Sequence, residues 1–231
     1  MVTITSIAGG APKPVFDRLG SVYEQRSGNK LNALYDTMSG IQARLARREA
    51  LDVLLMPVSM LDDLQKAGTV LAAGRATLAI IGLGVGVKTG APIPDISTPD
   101  ALQRALSVAR AVVHAPPTAT PSGAQSDKVI RELGLAGKLP VIHKAGLAGG
   151  VAAIASGEAE FGIFPKSEIV VFDGVTLIGS LPEALQLNIV YGAGVTAASP
   201  VAGPAAAFIE FLIAPESRAV WNACGFDPPN A

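Results

Sequence analysis

The sequence predicts an α/β protein of two lobes, each a βαβ sheet flanked by helices, joined by two crossing strands. Three observations predict it. An apolar strand, a small or hydroxyl residue and a helix recur three times within the first 66 residues, the rhythm of a parallel sheet. That rhythm breaks at a glycine-rich β-capable run, Thr77–Lys88, and a second series of the same units follows. A matching glycine-rich run, Leu187–Thr196, then returns the chain to two closing helices. The expected lobes are residues 1–82 with 197–231, and residues 83–196. No low-complexity linker separates them.

Val2–Ala8 alternates like a strand, and Gly9-Gly10-Ala11 turns it into a helix near Pro12–Arg26. Lys30–Asp36 is the second strand. Thr37-Met38-Ser39-Gly40 opens a helix over Ile41–Glu49, whose Arg44, Arg47 and Arg48 read as a solvated face. Asp52–Pro57 is the third strand, with Ser59 at the start of a helix over Met60–Lys66. Ligands of such sheets gather at the carboxyl ends of the strands, where these turns lie. The GLGVG within Thr77–Lys88 is no dinucleotide fingerprint: its third glycine is absent, and Thr89-Gly90-Ala91-Pro92 follows instead of a helix.

In the second series Thr98-Pro99-Asp100 opens a helix with a hydroxyl cap and Pro in its first turn. The stretch Val112–Gly134 reads as strand, open loop and helix. A short apolar strand is followed by Pro116 and Pro117, which forbid an immediate helix. Thr120-Pro121-Ser122-Gly123 next starts a helix over Ser122–Leu133 that stops at Gly134. Ser122 therefore sits where unsatisfied N–H groups and the positive end of the helix dipole meet, a seat for an anion. Strands Val141–Lys144, Glu160–Phe164 and Gly174–Gly179 follow, with a helix at Leu147–Ala155. Helices Pro204–Ile213 and Pro215–Cys224 end the chain.

Composition narrows the function. With 49% hydrophobic and 16% charged residues the chain is globular. A net charge of −1 gives no field to attract nucleic acid or an anionic membrane surface. The single Cys224 permits no intrachain disulfide, and two histidines without metal-ligand spacing argue against zinc, so no metal and no cofactor is expected. The longest apolar run, Leu78–Val87, is too short to cross a bilayer, so no membrane insertion is expected. A serine hydrolase is disfavoured by the lack of GxSxG. The N-terminus has neither a basic region nor a long apolar one, so the expectation is a cytoplasmic protein. A periplasmic chain with its leader removed and a starting Met added would read the same. A membrane permease of the ABC type is a partner only if the chain is exported.

Pro94-Asp95-Ile96-Ser97-Thr98-Pro99-Asp100-Ala101-Leu102, the Pro121-Ser122-Gly123 loop, Gly157-Glu158-Ala159-Glu160-Phe161-Gly162-Ile163 and the terminal Gly225-Phe226 occur in an order that resembles the molybdate-binding-like branch of the periplasmic solute-binding proteins, type 2. The resemblance covers nearly the whole chain. It implies that a small anion is held in a cleft between the lobes by hydroxyls and backbone N–H groups. Carried over, Ser39 stands for one hydroxyl, with Thr37 and Met38 beside it, and Ser122, Gly123 and Leu147 stand at the backbone donors. Gly9, Gly10 and Ala11 occupy the turn where another hydroxyl is expected. Pro165 replaces an expected tyrosine, with Lys166 beside it. A buried anion loses on the order of 1.5–3 kcal/mol per missing hydrogen bond. The expected ligand is therefore a di- or tricarboxylate rather than molybdate, with Ser59 as a further contact. The branch also resembles the aconitate isomerases, which implies an alternative: movement of a double bond in an unsaturated polycarboxylate by proton transfer. Lys166 or His114 would then be the base.

Overall fold

The computed structural model describes residues 1–229. In chain order the first elements are β1 (Thr3–Ala8), α1 (Lys13–Ser27), β2 (Lys30–Tyr35), α2 (Met38–Ala46), β3 (Val53–Pro57), α3 (Val58–Lys66) and β4 (Val70–Ile81). Then come β5 (Leu83–Lys88), α4 (Pro99–Ser107), β6 (Val112–His114), α5 (Pro121–Glu132), β7 (Val141–His143), a π-helical turn (Gly146–Val151) and α6 (Ala152–Ser156). β8 (Phe161–Pro165), α7 (Lys166–Ile169), β9 (Val175–Ser180), a 3-10 turn (Glu183–Leu185), β10 (Ile189–Thr196), α8 (Ala202–Ile213) and α9 (Pro215–Ala223) complete the chain.

These elements form two compact units, Met1–Ile80 with Ile189–Ala231, and Ile81–Asn188. Each holds one five-stranded sheet, ordered β2-β1-β3-β10-β4 in the first and β7-β6-β8-β5-β9 in the second. The mixed α/β architecture with flanking helices is the one the repeated units predicted. In the first unit β1 pairs in parallel with β2 and β3, while β10 runs antiparallel to β3. In the second, β6 pairs in parallel with β7 and β8, and β5 is antiparallel to both β8 and β9.

Burial explains the strands. Val53, Leu54, Leu55 and Met56 are each fully buried, the continuous apolar run expected where helices cover both faces of a parallel sheet. One face packs Ile7, Leu54 and Met56 under Ile41 and Leu61. In the second unit the pleat divides neighbours: Val112 joins Leu102, Leu106, Val129 and Ile130, whereas Val113 joins Val151, Ile154 and Phe164. Each such side chain contributes roughly 1.5–3 kcal/mol on burial. On α4 the buried Ala101, Leu102, Ala105 and Leu106 recur with helical spacing, and Thr98 caps it by accepting from the Ala101 N–H at 3.1 Å.

Several expectations are corrected. Thr77–Lys88 is not one strand: β4 begins at Val70, and the chain changes sheet at Gly82. The second unit ends at Asn188 rather than Thr196, because β10 pairs with β3 over Tyr191–Val195. Of the three arginines expected on a solvated face, Arg47 and Arg48 are exposed, whereas Arg44 is partly buried: its Nε donates to Asp36 at 2.9 Å and its Nη1 to Glu49 at 2.8 Å. The glycines of GLGVG make room for close packing. A Cβ on Gly84 would stand 3.0 Å from Lys166 Cγ and 3.1 Å from the Gly179 carbonyl.

Candidate functional site

In the first unit the turns after β1, β2 and β3 lie at one edge of the sheet, because these strands are parallel. Gly9 is buried and Gly10 exposed in the first turn. Thr37, Met38 and Ser39 begin α2 in the second, and Ser59 lies exposed in the first turn of α3. Thr37 is the cap of α2: its Oγ1 accepts from the Gly40 N–H at 3.0 Å and lies 3.1 Å from Ser39 Oγ. Asp36 accepts from the Thr37 N–H at 2.8 Å and from Arg44, and both bonds hold its carboxyl below the ordinary range, the Arg44 bond most. Any Cβ on Gly40 would collide with that carboxylate.

The second unit repeats this construction. Thr120 caps α5: its Oγ1 accepts from the Gly123 N–H at 3.0 Å and lies 2.9 Å from Ser122 Oγ. A Cβ on Gly123 would meet the Pro116 and Ala115 carbonyl oxygens at 2.5 and 2.6 Å. Thus Thr37-Met38-Ser39-Gly40 and Thr120-Pro121-Ser122-Gly123 are the same four-residue device, Thr-x-Ser-Gly. The glycine lets the helix begin tight against the preceding strand end. The threonine oxygen accepts the amide hydrogen, and the serine hydroxyl lies within hydrogen-bond distance of that oxygen. Sequence reading noticed both stretches but not their identity, which was visible as a repeated Thr-x-Ser-Gly after a strand.

Because β6, β7 and β8 are parallel, their carboxyl ends also share an edge. That edge holds the start of α5, the π-helical turn and the start of α7. Leu147 lies in the π-helical turn with 39% of its surface exposed. The close packing there needs Gly150, whose Cβ would stand 2.5 Å from the Lys144 carbonyl oxygen. Lys166 opens α7 directly after β8 and is only 9% exposed, its stem lying over Gly84. Next to it Ser167 Oγ and Glu168 Oε2 are buried without hydrogen-bond partners. Burial pushes the Glu168 carboxyl up to about 7.

His114 is placed differently from an accessible base. It is fully buried, and its Nδ1–H donates to the Ala115 carbonyl at 2.8 Å. Its ring meets His143 edge to face at 4.9 Å, and burial, foremost, lowers its pKa. It is a neutral core imidazole. Tyr191, which sequence reading missed, reaches the edge of the first unit: β10 pairs it with Pro57, and its Oη would lie 3.4 Å from a Cβ on Gly9. No helix among the described residues is long and apolar enough to cross a membrane.

Comparison with known proteins now places the chain. A family model described as bacterial extracellular solute-binding protein matches residues 4–227. An aconitate isomerase of Pseudomonas sp. is 27% identical over 99% of this chain and 88% of that protein. A substrate-binding domain assigned to a molybdenum ABC transporter of Clostridium difficile superposes with TM-score 0.84 at 18% identity, covering all of both chains. The periplasmic molybdate-binding protein of Azotobacter vinelandii superposes with TM-score 0.76 at 19% identity, covering 98% of this chain and 100% of that one. Their likeness shows the periplasmic-binding-protein fold, and the resemblance read from the sequence stands. The expected cytoplasmic location finds no support in a family of extracellular proteins. The chain belongs to the bacterial extracellular solute-binding protein family.

Proposed function

We propose that this solute-binding protein takes a small organic anion, a di- or tricarboxylate in preference to molybdate. The observation that carries the reading is the Thr-x-Ser-Gly device at the starts of α2 and α5. Each offers a serine hydroxyl together with first-turn N–H groups that have no acceptor in their own helix. Each unit thus carries one seat that suits a carboxylate, and the buried Lys166 lies at the same edge of the second unit. Leu147 supplies a further backbone donor from the π-helical turn. A tetrahedral dianion needs more donors around one centre, and Gly9-Gly10-Ala11 and Pro165 offer no side-chain donor. Export and delivery to an ABC permease is the role we assign to such a binder.

Calorimetric titration with molybdate, sulfate, citrate and trans-aconitate tests this. Binding of a carboxylate at least a hundredfold tighter than molybdate is expected; micromolar molybdate affinity would overturn the reading.

A second reading has its own support in the aconitate isomerase relative. Moving an allylic double bond needs a base at the C–H and donors for the developing enolate. The serine hydroxyls and helix N–H groups are such donors. Lys166 is the residue we assign as base, with Glu168 beside it holding a proton near neutrality. Incubation with cis- or trans-aconitate in deuterated water would show exchange at the allylic carbon, abolished in Lys166→Ala. Tight binding without exchange leaves a binding protein alone.

A further inference from the structure

We infer that the cavity at the amino end of β8, within the second unit, is a binding site for a small monocarboxylate with an apolar body, an alkyl or aryl carboxylate. It is independent of the helix starts described above and takes a different class of ligand.

Its position follows from strand direction. Val87, near the end of β5, pairs with Phe161, the first residue of β8, and both line the cavity. Lys166 follows the other end of β8, at Pro165. Four steps of strand between Phe161 and Pro165 span about 13 Å, so the cavity and the buried lysine lie at opposite ends of one sheet. The cavity measures about 450 Å³, within the range of roughly 300–1,000 Å³ that small-molecule sites occupy.

Local sequence makes the space. Ala105 and Ala109 line it from the end of α4, and Gly157 and Ala159 from the turn before β8. These side chains are too short to reach across. The loop after β5 turns at Gly90, whose φ is +85°, and runs on through Pro92 and Pro94, which also line the cavity. Their fixed φ angles and missing N–H groups keep the loop from closing the gap with a further strand or helical turn. Ile93 between them is 67% exposed, and Val108, at the end of α4, lines the cavity yet is 82% exposed. Apolar walls are thus left against water, the condition that favours an apolar guest.

The charged groups at the border choose which guest. Three line the cavity: Lys88, Arg110 and Glu160. Glu160 is already engaged, accepting from the Arg110 N–H at 2.7 Å and from Arg110 Nε at 2.8 Å. That geometry uses one edge of the guanidinium and leaves its two Nη groups without a partner among the described residues. Lys88 is exposed, makes no ion pair or hydrogen bond through its side chain among the described residues, and places its Nζ 3.9 Å from where a Cβ on Gly157 would stand. Two cations against one carboxylate leave the border positive. A single carboxylate can sit there, on Lys88 Nζ and the Arg110 Nη groups, while its carbon skeleton covers Val87, Phe161 and the alanines. A polycarboxylate would have to bring a second charge against apolar walls, which is costly.

The test titrates the parent chain calorimetrically with octanoate, 2-naphthoate, octanol, octylammonium and citrate, and follows its amide resonances with each. Octanoate and 2-naphthoate are expected to bind with submillimolar affinity, with the largest shifts at residues 87–94, 105–110 and 157–161. Octylammonium and citrate should leave those resonances in place. Lys88→Gln should weaken octanoate about threefold and leave octanol unchanged. Ala91→Phe, which fills the cavity from the loop, should weaken both acids and octanol by about tenfold or more. Val108→Ser, at an exposed position, should weaken both acids about threefold. Thermal melts of each variant confirm that folded protein is compared. Failure of both acids to bind at millimolar concentration, octylammonium binding as tightly as octanoate, or octanoate shifts centred elsewhere overturns the inference. A parent that sediments as a dimer and is returned to monomer by Val108→Ser overturns it in favour of a second copy on this face. None of these results bears on residues 38–40 or 122–123, so the anion-binding reading above stands or falls separately.

Discussion

Replacing Gly123 by Ala probes the Thr-x-Ser-Gly device at its tightest point. The new methyl would stand 2.5 Å from the Pro116 oxygen, 2.6 Å from the Ala115 oxygen and 3.0 Å from the Ala115 carbonyl carbon. All three are backbone atoms, so no side-chain rotation relieves the overlap. Residue 123 lies outside the left-handed region, so Ala gains helix propensity of up to about 1 kcal/mol over Gly, less in a first turn. Overpacking costs about 1–3 kcal/mol and the backbone must yield as well, which leaves a net loss of about 2 kcal/mol. For a chain of this size that is a fall of roughly 4–8 °C in Tm. Urea unfolding followed by far-ultraviolet circular dichroism measures it. Gly203→Ala in α8 is the control: a Cβ there meets nothing within 4 Å, so a gain of up to about half a kcal/mol is expected. A Gly123→Ala protein within 0.5 kcal/mol of the parent, on the order of measurement error, would refute the steric argument.

Two further outcomes follow from buried polar groups. Glu168 titrates near 7 in the fold against 4.5 ordinarily, so the folded state binds more protons in that window. Stability should therefore fall as pH rises from 4.5 to 7 and level above it, by roughly 3 kcal/mol. Glu168→Gln should flatten that slope in urea titrations at pH 5, 6, 7 and 8; an unchanged slope would remove Glu168 as its source. Asp52, 7% exposed, accepts from the Thr5 N–H at 2.7 Å and from Ser199 Oγ at 2.6 Å. Asp52→Ala should cost about 3 kcal/mol, read by the same unfolding, and a loss below 1 kcal/mol would show that water replaces the carboxylate.

Much of the fold was legible because local chemistry and tertiary structure agree. Thr98 and Thr120 cap helices where a hydroxyl precedes proline, and the central strand β3 is a continuous apolar run. The failures have physical causes. Val70–Ala76, with Gly74 and Arg75 in it, has little apolar periodicity, and its strand forms by joining a sheet edge. Gly146–Val151 winds as a π-helical turn rather than an α-helix because Gly150 must pass close to the Lys144 carbonyl and the Phe164 ring. The polar Pro165-Lys166-Ser167-Glu168 reads as a solvated turn, yet Lys166 and Ser167 are buried against β5. The room for them comes from Gly84, distant in sequence. Of the candidate site, the helix starts were readable from hydroxyl and glycine spacing. The seating of Met38 on Gly9 and the reach of Tyr191 depend on strand register, which sequence alone does not set.

Where the anion sits decides the proposed function. Amide resonances of an isotope-labelled chain, followed during titration with trans-aconitate and then citrate, report that directly. The largest shifts are expected at residues 38–40 and 122–123, with Leu147 following. Largest shifts instead around Val87–Pro94 and Arg110, which line a separate cavity of about 450 Å³ in the second unit, with both helix starts silent, would contradict it.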